Sequence, residues 1–197
     1  MSTFRGAIAG VGTESGVRVV VGRWDASPYG AFADAMVETA SGHRVLIAPS
    51  REVADFVAGT YTFDEVRVED IAADGWAVRS PSLRLDLAVG GRTALGRLLR
   101  LVPARVGESP AWCAVTDSVA RVVLRGVRTR GSAGGGRREW YGATDHHGVA
   151  AVSGRFDGAD LGALAPVHPA PRFGFSSTPP RPSVTTLVTT VATGATG

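Results

Sequence analysis

Residues 83–89 read LRLDLAV, in which four apolar side chains alternate with Arg84, Asp86 and Ala88. A period of two places successive side chains on opposite faces, so this stretch predicts a β-strand with one buried face. The valine-rich segment 16–24 also predicts a strand, and 32–39 and 44–48 flank a four-residue connection typical of a hairpin. Short turns between consecutive strands favour antiparallel pairing.

Helical spacing occurs in two places. Ser50 is a suitable N-cap for a short helix over 51–58, which Gly59 ends. Leucines three and four residues apart predict a second helix over 93–102, and helical spacing resumes after Pro110. Because the helices cluster and do not alternate with the strands, the pattern indicates the α+β class. We predict a mainly antiparallel curved sheet or half-open barrel with a small helical layer.

The rest of the sequence predicts further strands and a single domain. Residues 138–144 and 149–156 suggest a second hairpin around a turn at 145–148, and 184–191 suggests a final strand. The glycine-containing residues 1–12 suggest a flexible lead-in segment. We expect one domain over 1–197, with a helical insertion at about 93–124 and a frayed tail at 192–197.

Composition excludes several chemistries. The chain has 21 basic residues, all arginine, and contains no lysine, asparagine or glutamine. Schiff-base lysine catalysis and phosphate binding by a loop lysine are therefore excluded. A net charge of only +3 disfavours a nucleic-acid partner. The single cysteine cannot form an intrachain disulfide, and no apolar run approaches the roughly 18 residues of a membrane span. We expect a soluble, cytoplasmic protein.

The densest functional signal lies in 121–141, where arginines flank a glycine-rich loop and precede two aromatic residues. Guanidinium groups bind carboxylate or phosphate groups in a bidentate manner, and aromatic rings can wall a pocket. The leading hypothesis is a domain that binds a small, partly apolar ligand with an acidic group. Its predicted binding residues are Arg128, Arg130, Arg138, Trp140 and Tyr141.

Two other classes of function stay open. One is a hydrolase- or isomerase-like enzyme that uses His146 or His147 with Asp145 or Glu139 as general acid and base. The other is a protein-interaction module in which the basic, apolar helix near 93–105 docks a partner. No cofactor is predicted, and no metal site, because adjacent histidines on a strand face opposite ways and the cysteine is distant in sequence.

Two carboxylates stand out in the first hairpin. Asp34 and Glu38 share a strand face with Phe32 and Met36. Carboxylates on an apolar face are either paired with arginine or functional. Arg44, across the hairpin, is the expected partner, and an acid/base role is the alternative.

Two stretches, 24–65 and 126–191, resemble uncharacterised conserved proteins of GC-rich actinobacteria. This resemblance implies an autonomous bacterial cytoplasmic domain and assigns no catalytic residue. The predicted curved sheet is also similar in outline to acetoacetate decarboxylase-like barrels. The chemistry of those barrels uses a lysine, so the resemblance does not extend to their activity.

Overall fold

The computed structural model describes residues 2–103, 130–132, 138–174 and 178–192. The strands are β1 (Ser2–Thr13), β2 (Arg18–Ala26), β3 (Phe32–Glu38), β4 (Arg44–Ala48), β5 (Glu65–Val68), β6 (Ala72–Asp74), β7 (Ala77–Arg79), β8 (Leu83–Arg92), β9 (Arg130–Ser132), β10 (Arg138–Phe156), β11 (Ala159–Asp160), β12 (Leu164–Ala165) and β13 (Ser183–Ala192). The helices are α1 (Arg51–Ala58) and α2 (Ala94–Leu99).

The described strands form one curled sheet in the order β5-β4-β3-β2-β1-β13-β10-β8-β7-β6. Short strands β9 and β11 pair with β10, and β12 pairs with β1. All the pairs are antiparallel except β4 with β5, which run parallel on either side of α1. The predicted antiparallel, half-open sheet is therefore confirmed. The predicted helical layer is small, and the described part of the chain is mostly β.

The sheet buries both faces near its middle. Alternate residues of β1 to β4 and β8, including Val11, Val21, Ile47 and Leu85, form the main apolar core on one face. The opposite face of β3 and β4 is covered by α1, as its sequence spacing predicts. Ser50 caps this helix by accepting a hydrogen bond from the backbone N–H of Val53. Its apolar side packs on Leu46 and Ala48.

The N-terminal segment differs from the prediction. It is not a flexible lead-in but β1, a central strand between β2 and β13. Its glycines allow the neighbouring chain to approach closely, since a Cβ atom at Gly6 would lie only 2.8 Å from the Cα of Trp24. The glycine content suggests flexibility, but in the structure these glycines lack side chains where neighbouring strands pack closely.

The predicted second hairpin is also wrong, because residues 138–156 form the single strand β10. Its first half pairs with β13 and its second half with β8. Register shifts at 143–145, 147–149 and 149–151 interrupt these ladders, as β-bulges do. The polar residues 145–148, which resemble a turn, therefore occupy a bulged strand. Pairing on both sides overrides their local turn preference.

Neither described helix is long and apolar enough to cross a membrane. The described part of the predicted helical insertion consists of α2 and the residues that follow it up to 103. Residues 104–129 and 193–197, which contain the rest of that insertion and most of the predicted tail, lie outside the described residues.

Candidate binding site

A partly open cavity lies between α1 and the sheet, on the face opposite the main core. Its volume is about 50 Å³, measured as room for the centres of water molecules. A space of this size can take several water molecules or one end of a small organic molecule. Six aromatic side chains line it, together with aliphatic side chains from β1, β2, β3, α1 and β13. The aromatic residues are Phe4, Trp24, Phe32, Phe56, Tyr61 and Tyr141.

Strand alternation explains why these residues meet. Trp24 on β2 and Phe32 on β3 are register partners, and Gly22 is the partner of Asp34 two residues further along. The period of two sends all four toward the same face of the sheet. Phe4 on β1 then packs on Trp24, with ring centroids 5.6 Å apart, and on Phe56 of α1 at 5.0 Å. Rings from β1, β2, β3 and α1 therefore form one wall of the cavity.

Asp34 contributes a buried carboxyl group to this apolar cavity. The indole Nε1–H of Trp24 donates a hydrogen bond to its Oδ1, with a distance of 2.9 Å. Burial raises the pKa of Asp34 to about 7, and the bond from Trp24 only partly offsets this effect. Asp34 is therefore largely uncharged below neutral pH and ionised above it.

Gly22 provides the space for this arrangement. A Cβ atom there would lie 2.6 Å from Nε1 of Trp24 and would also collide with the Asp34 carboxyl group. Real Cβ atoms essentially never make contacts this short, so either the indole or the carboxyl group would have to move. The Asp34–Trp24 pair thus depends on the absence of a side chain at the register partner of Asp34.

A second polar group in the cavity is formed by two tyrosines and a glutamate. Tyr61, just after α1, donates to Oε2 of Glu139 at 3.0 Å, and Tyr141 donates to the same oxygen at 2.7 Å. The two hydroxyl oxygens are 2.6 Å apart. Burial, together with nearby negative charge, raises the pKa of both tyrosines well above the usual value, so both stay protonated. This cluster ties the end of α1 to β10.

Thr189 supplies the third polar group of the cavity. Its side chain is buried, and its Oγ1 has no hydrogen-bond partner in the described structure. Burying a hydroxyl group without a partner costs roughly 1–3 kcal/mol by protein mutational data.

The structure places Arg130, Arg138 and Trp140 next to one another on β9 and β10 and sets Tyr141 apart from them. Tyr141 lines the cavity, whereas strand alternation directs Trp140 to the other face of β10. The backbone pairs Arg130 with Trp140, and Arg138 with Ser132. Arg128 lies outside the described residues.

The histidines of the enzyme hypothesis lie elsewhere on β10 and are not among the described residues lining the cavity. His146 is buried, against the predicted solvated turn, and its Nδ1 lies 2.9 Å from Oγ1 of Thr93, the N-cap of α2. Burial lowers the pKa of His146. Asp145 is held by Arg92 at 2.8 Å, which lowers the pKa of this carboxyl group to about 2. His147 approaches the backbone oxygen of Gly90.

The expected pairing of the hairpin carboxylates with Arg44 is wrong. Glu38 pairs with Arg18 at 2.8 Å, and both side chains are buried. It also accepts a hydrogen bond from the backbone N–H of Arg172 at 2.7 Å. Arg44 instead forms two hydrogen bonds with the Asp64 carboxylate. The two carboxyl groups of β3 therefore differ: Glu38 pairs with arginine, whereas Asp34 lines the cavity.

Parity on β3 identifies Asp34 as a candidate, but no local pattern indicates the other polar residues of the cavity. Tyr61 lies 78 residues from Glu139, and only the curling of the sheet brings α1 over β10. In the part of the chain that the structure describes, no three His, Cys, Asp or Glu side chains converge as a metal site requires.

Comparison of the chain with protein-family models, with curated proteins and with solved structures finds no match.

Proposed function

We propose that the protein binds a small, partly apolar organic molecule, or one end of such a molecule, in the cavity between α1 and the sheet. The observation that carries this proposal is the buried carboxyl group of Asp34 in an aromatic wall. Concave sites with apolar walls and a few convergent polar groups are typical of small-molecule binding. Ionisable groups with strongly shifted pKa values cluster at such sites.

The charge of the lining favours a ligand different from the acidic one predicted from the sequence. Asp34 and Glu139 contribute carboxyl groups, and none of the described lining residues is a cation. An acidic group placed among them would meet like charge in a weakly polar environment, where such repulsion is strong. The apolar part of the predicted ligand is retained in the proposal, and the acidic part is not.

Binding is tested with three compounds that share a ring and differ in charge: cyclohexanol, cyclohexylamine and cyclohexanecarboxylate. We expect the alcohol or the amine to give saturation-transfer NMR signals and to raise the melting temperature, and the carboxylate to do neither at pH 8. The cavity-filling variant Val20→Phe should abolish these effects. Absence of binding by all three compounds, or equal binding to Val20→Phe, would refute the proposal. Preferential binding of the carboxylate would instead support the acidic ligand that the sequence predicts.

A further inference from the structure

The described cavity lining combines two chemical features. Six aromatic rings supply electron-rich faces, and two carboxyl groups lie among them, with no cationic lining residue in the described ranges. Glu139 accepts two tyrosine hydrogen bonds, whereas Oδ1 of Asp34 accepts one, from Trp24. Asp34 is thus the carboxyl group of the lining that lies outside the tyrosine cluster.

The aromatic residues near Asp34 form a continuous wall in which the rings contact one another. Trp24 and Phe32 have ring centroids 6.4 Å apart, and Phe4 lies against both rings. Rings of this kind attract a cation held within about 6 Å of their centroids, and tryptophan attracts it most strongly. Organic cations such as quaternary ammonium groups are bound by cages of this composition.

Resting on the proposed function, we infer that the ligand is an organic cation, an amine or a quaternary ammonium group with an apolar body. The cationic head would lie against the rings of Phe4, Trp24 and Phe32, with Asp34 as its counter-charge. Thr189 also lines this cavity.

Recognition of a cation by Asp34 has a consequence for protons. In the free protein the carboxyl group is mostly protonated below pH 7, because burial raises its pKa. A cation favours the ionised form, so binding releases the proton. The other titratable groups of the described lining, Tyr61, Tyr141 and Glu139, form a hydrogen-bonded cluster, and the nearby charges of Glu139 and Asp34 help to keep the pKa of Tyr61 well above its usual value. Proton release below pH 7 is therefore assigned to Asp34.

The experiment compares choline with 3,3-dimethylbutan-1-ol, which has nearly the same shape and no charge. At pH 8 we expect choline to bind at least tenfold more tightly. Below pH 6 its dissociation constant should rise by up to tenfold per pH unit, because only the ionised carboxylate pairs with it. Calorimetry at pH 6, in buffers of different ionisation enthalpy, should show release of close to one proton per choline bound.

Three variants locate the effect. Asp34→Asn should lose both the preference for choline and the proton release, and Phe32→Leu should weaken choline binding more than alcohol binding. Asp86→Asn, which makes the same change in an exposed pair with Arg79, should behave as the unmodified protein. Equal or tighter binding of the alcohol, or choline binding without proton release, would overturn the inference and leave the proposed function standing. Failure of both compounds to bind would also overturn it, and the cyclohexyl series then decides the proposed function separately.

Discussion

At the scale of single residues, Asp34 links the stability of the protein to pH. Its folded-state pKa of about 7 is well above the ordinary value of 3.8 that applies to an unfolded chain. Between these pH values the folded state binds more protons than the unfolded state. The contribution of Asp34 to the free energy of unfolding is therefore full below about pH 4 and falls as the pH rises to about 7.

The first prediction uses Asp34→Asn, which keeps an acceptor for the indole of Trp24 and cannot ionise. Because one pKa unit corresponds to about 1.4 kcal/mol, the variant should gain up to about 4 kcal/mol relative to the unmodified protein between pH 4 and pH 8. Urea unfolding at a series of pH values measures this difference. Parallel stability curves for the two proteins would show that the carboxyl group of Asp34 has an ordinary pKa.

A second prediction concerns the space beside that carboxyl group. Gly22→Ala should destabilise the protein by about 1–3 kcal/mol, because the added methyl group collides with the Asp34–Trp24 pair. The NMR signal of the Trp24 indole N–H should shift as its hydrogen bond is displaced. Gly91→Ala is the matched control, since a Cβ atom at that strand position meets nothing within 4 Å. Equal effects of the two substitutions would show that Gly22 has no special role.

At the scale of elements, the ion pair between Arg18 and Glu38 joins β2 to β3, and Glu38 also holds the backbone at Arg172. Removing one partner of a buried pair leaves an uncompensated charge. We therefore expect Glu38→Gln to cost about 3–5 kcal/mol of unfolding free energy. Asp86→Asn breaks an exposed pair and should cost less than about 1 kcal/mol. Chemical denaturation of both variants checks this; a similar loss in both would contradict it.

The N-cap of α1 gives a further prediction at this scale, because α1 provides Phe56 and Val57 to the cavity. Ser50→Ala removes the hydrogen bond to the backbone N–H of Val53 and should cost about 1 kcal/mol, whereas Ser50→Asp should restore most of it. Thermal unfolding measures both variants. An alanine variant as stable as the aspartate variant would show that the cap does not hold the helix.

Elements with strong local patterns were predictable from the sequence, and elements set by distant pairing were not. The helix 51–58 and the alternating strand at 83–89 lie where the sequence patterns place them, because one face of each is buried and the other is not. Strands β1 and β10 were mistaken for a flexible segment and a hairpin. Their glycines and polar residues are accommodated by β2, β8 and β13, which no local pattern reveals.

At the scale of the whole molecule, Asp34 is the part of the cavity that a local sequence pattern predicts, and the residues around it are not. Parity along β3 predicted a carboxyl group on an apolar face, which needs only local information. The aromatic wall, however, is assembled from β1, β2, β3 and α1, and the tyrosine–glutamate cluster adds β10. Only the strand order brings these segments together, and sequence alternation does not determine that order.

The curled sheet therefore brings residues from distant parts of the chain together around one cavity. Its main core stabilises one face, and α1 closes the other face over a cavity that keeps a carboxyl group out of water. In the proposed function, this enclosure holds Asp34 uncharged at mildly acidic pH until a cationic ligand binds.

The most direct test is a ¹³C NMR titration of the aspartate carboxyl groups, with the signal of Asp34 identified by its loss in Asp34→Asn. We predict that this signal titrates with a pKa of about 7 in the free protein and that saturating choline lowers this pKa. A pKa near 4 in the free protein, the ordinary value of an aspartate in water, would contradict the account.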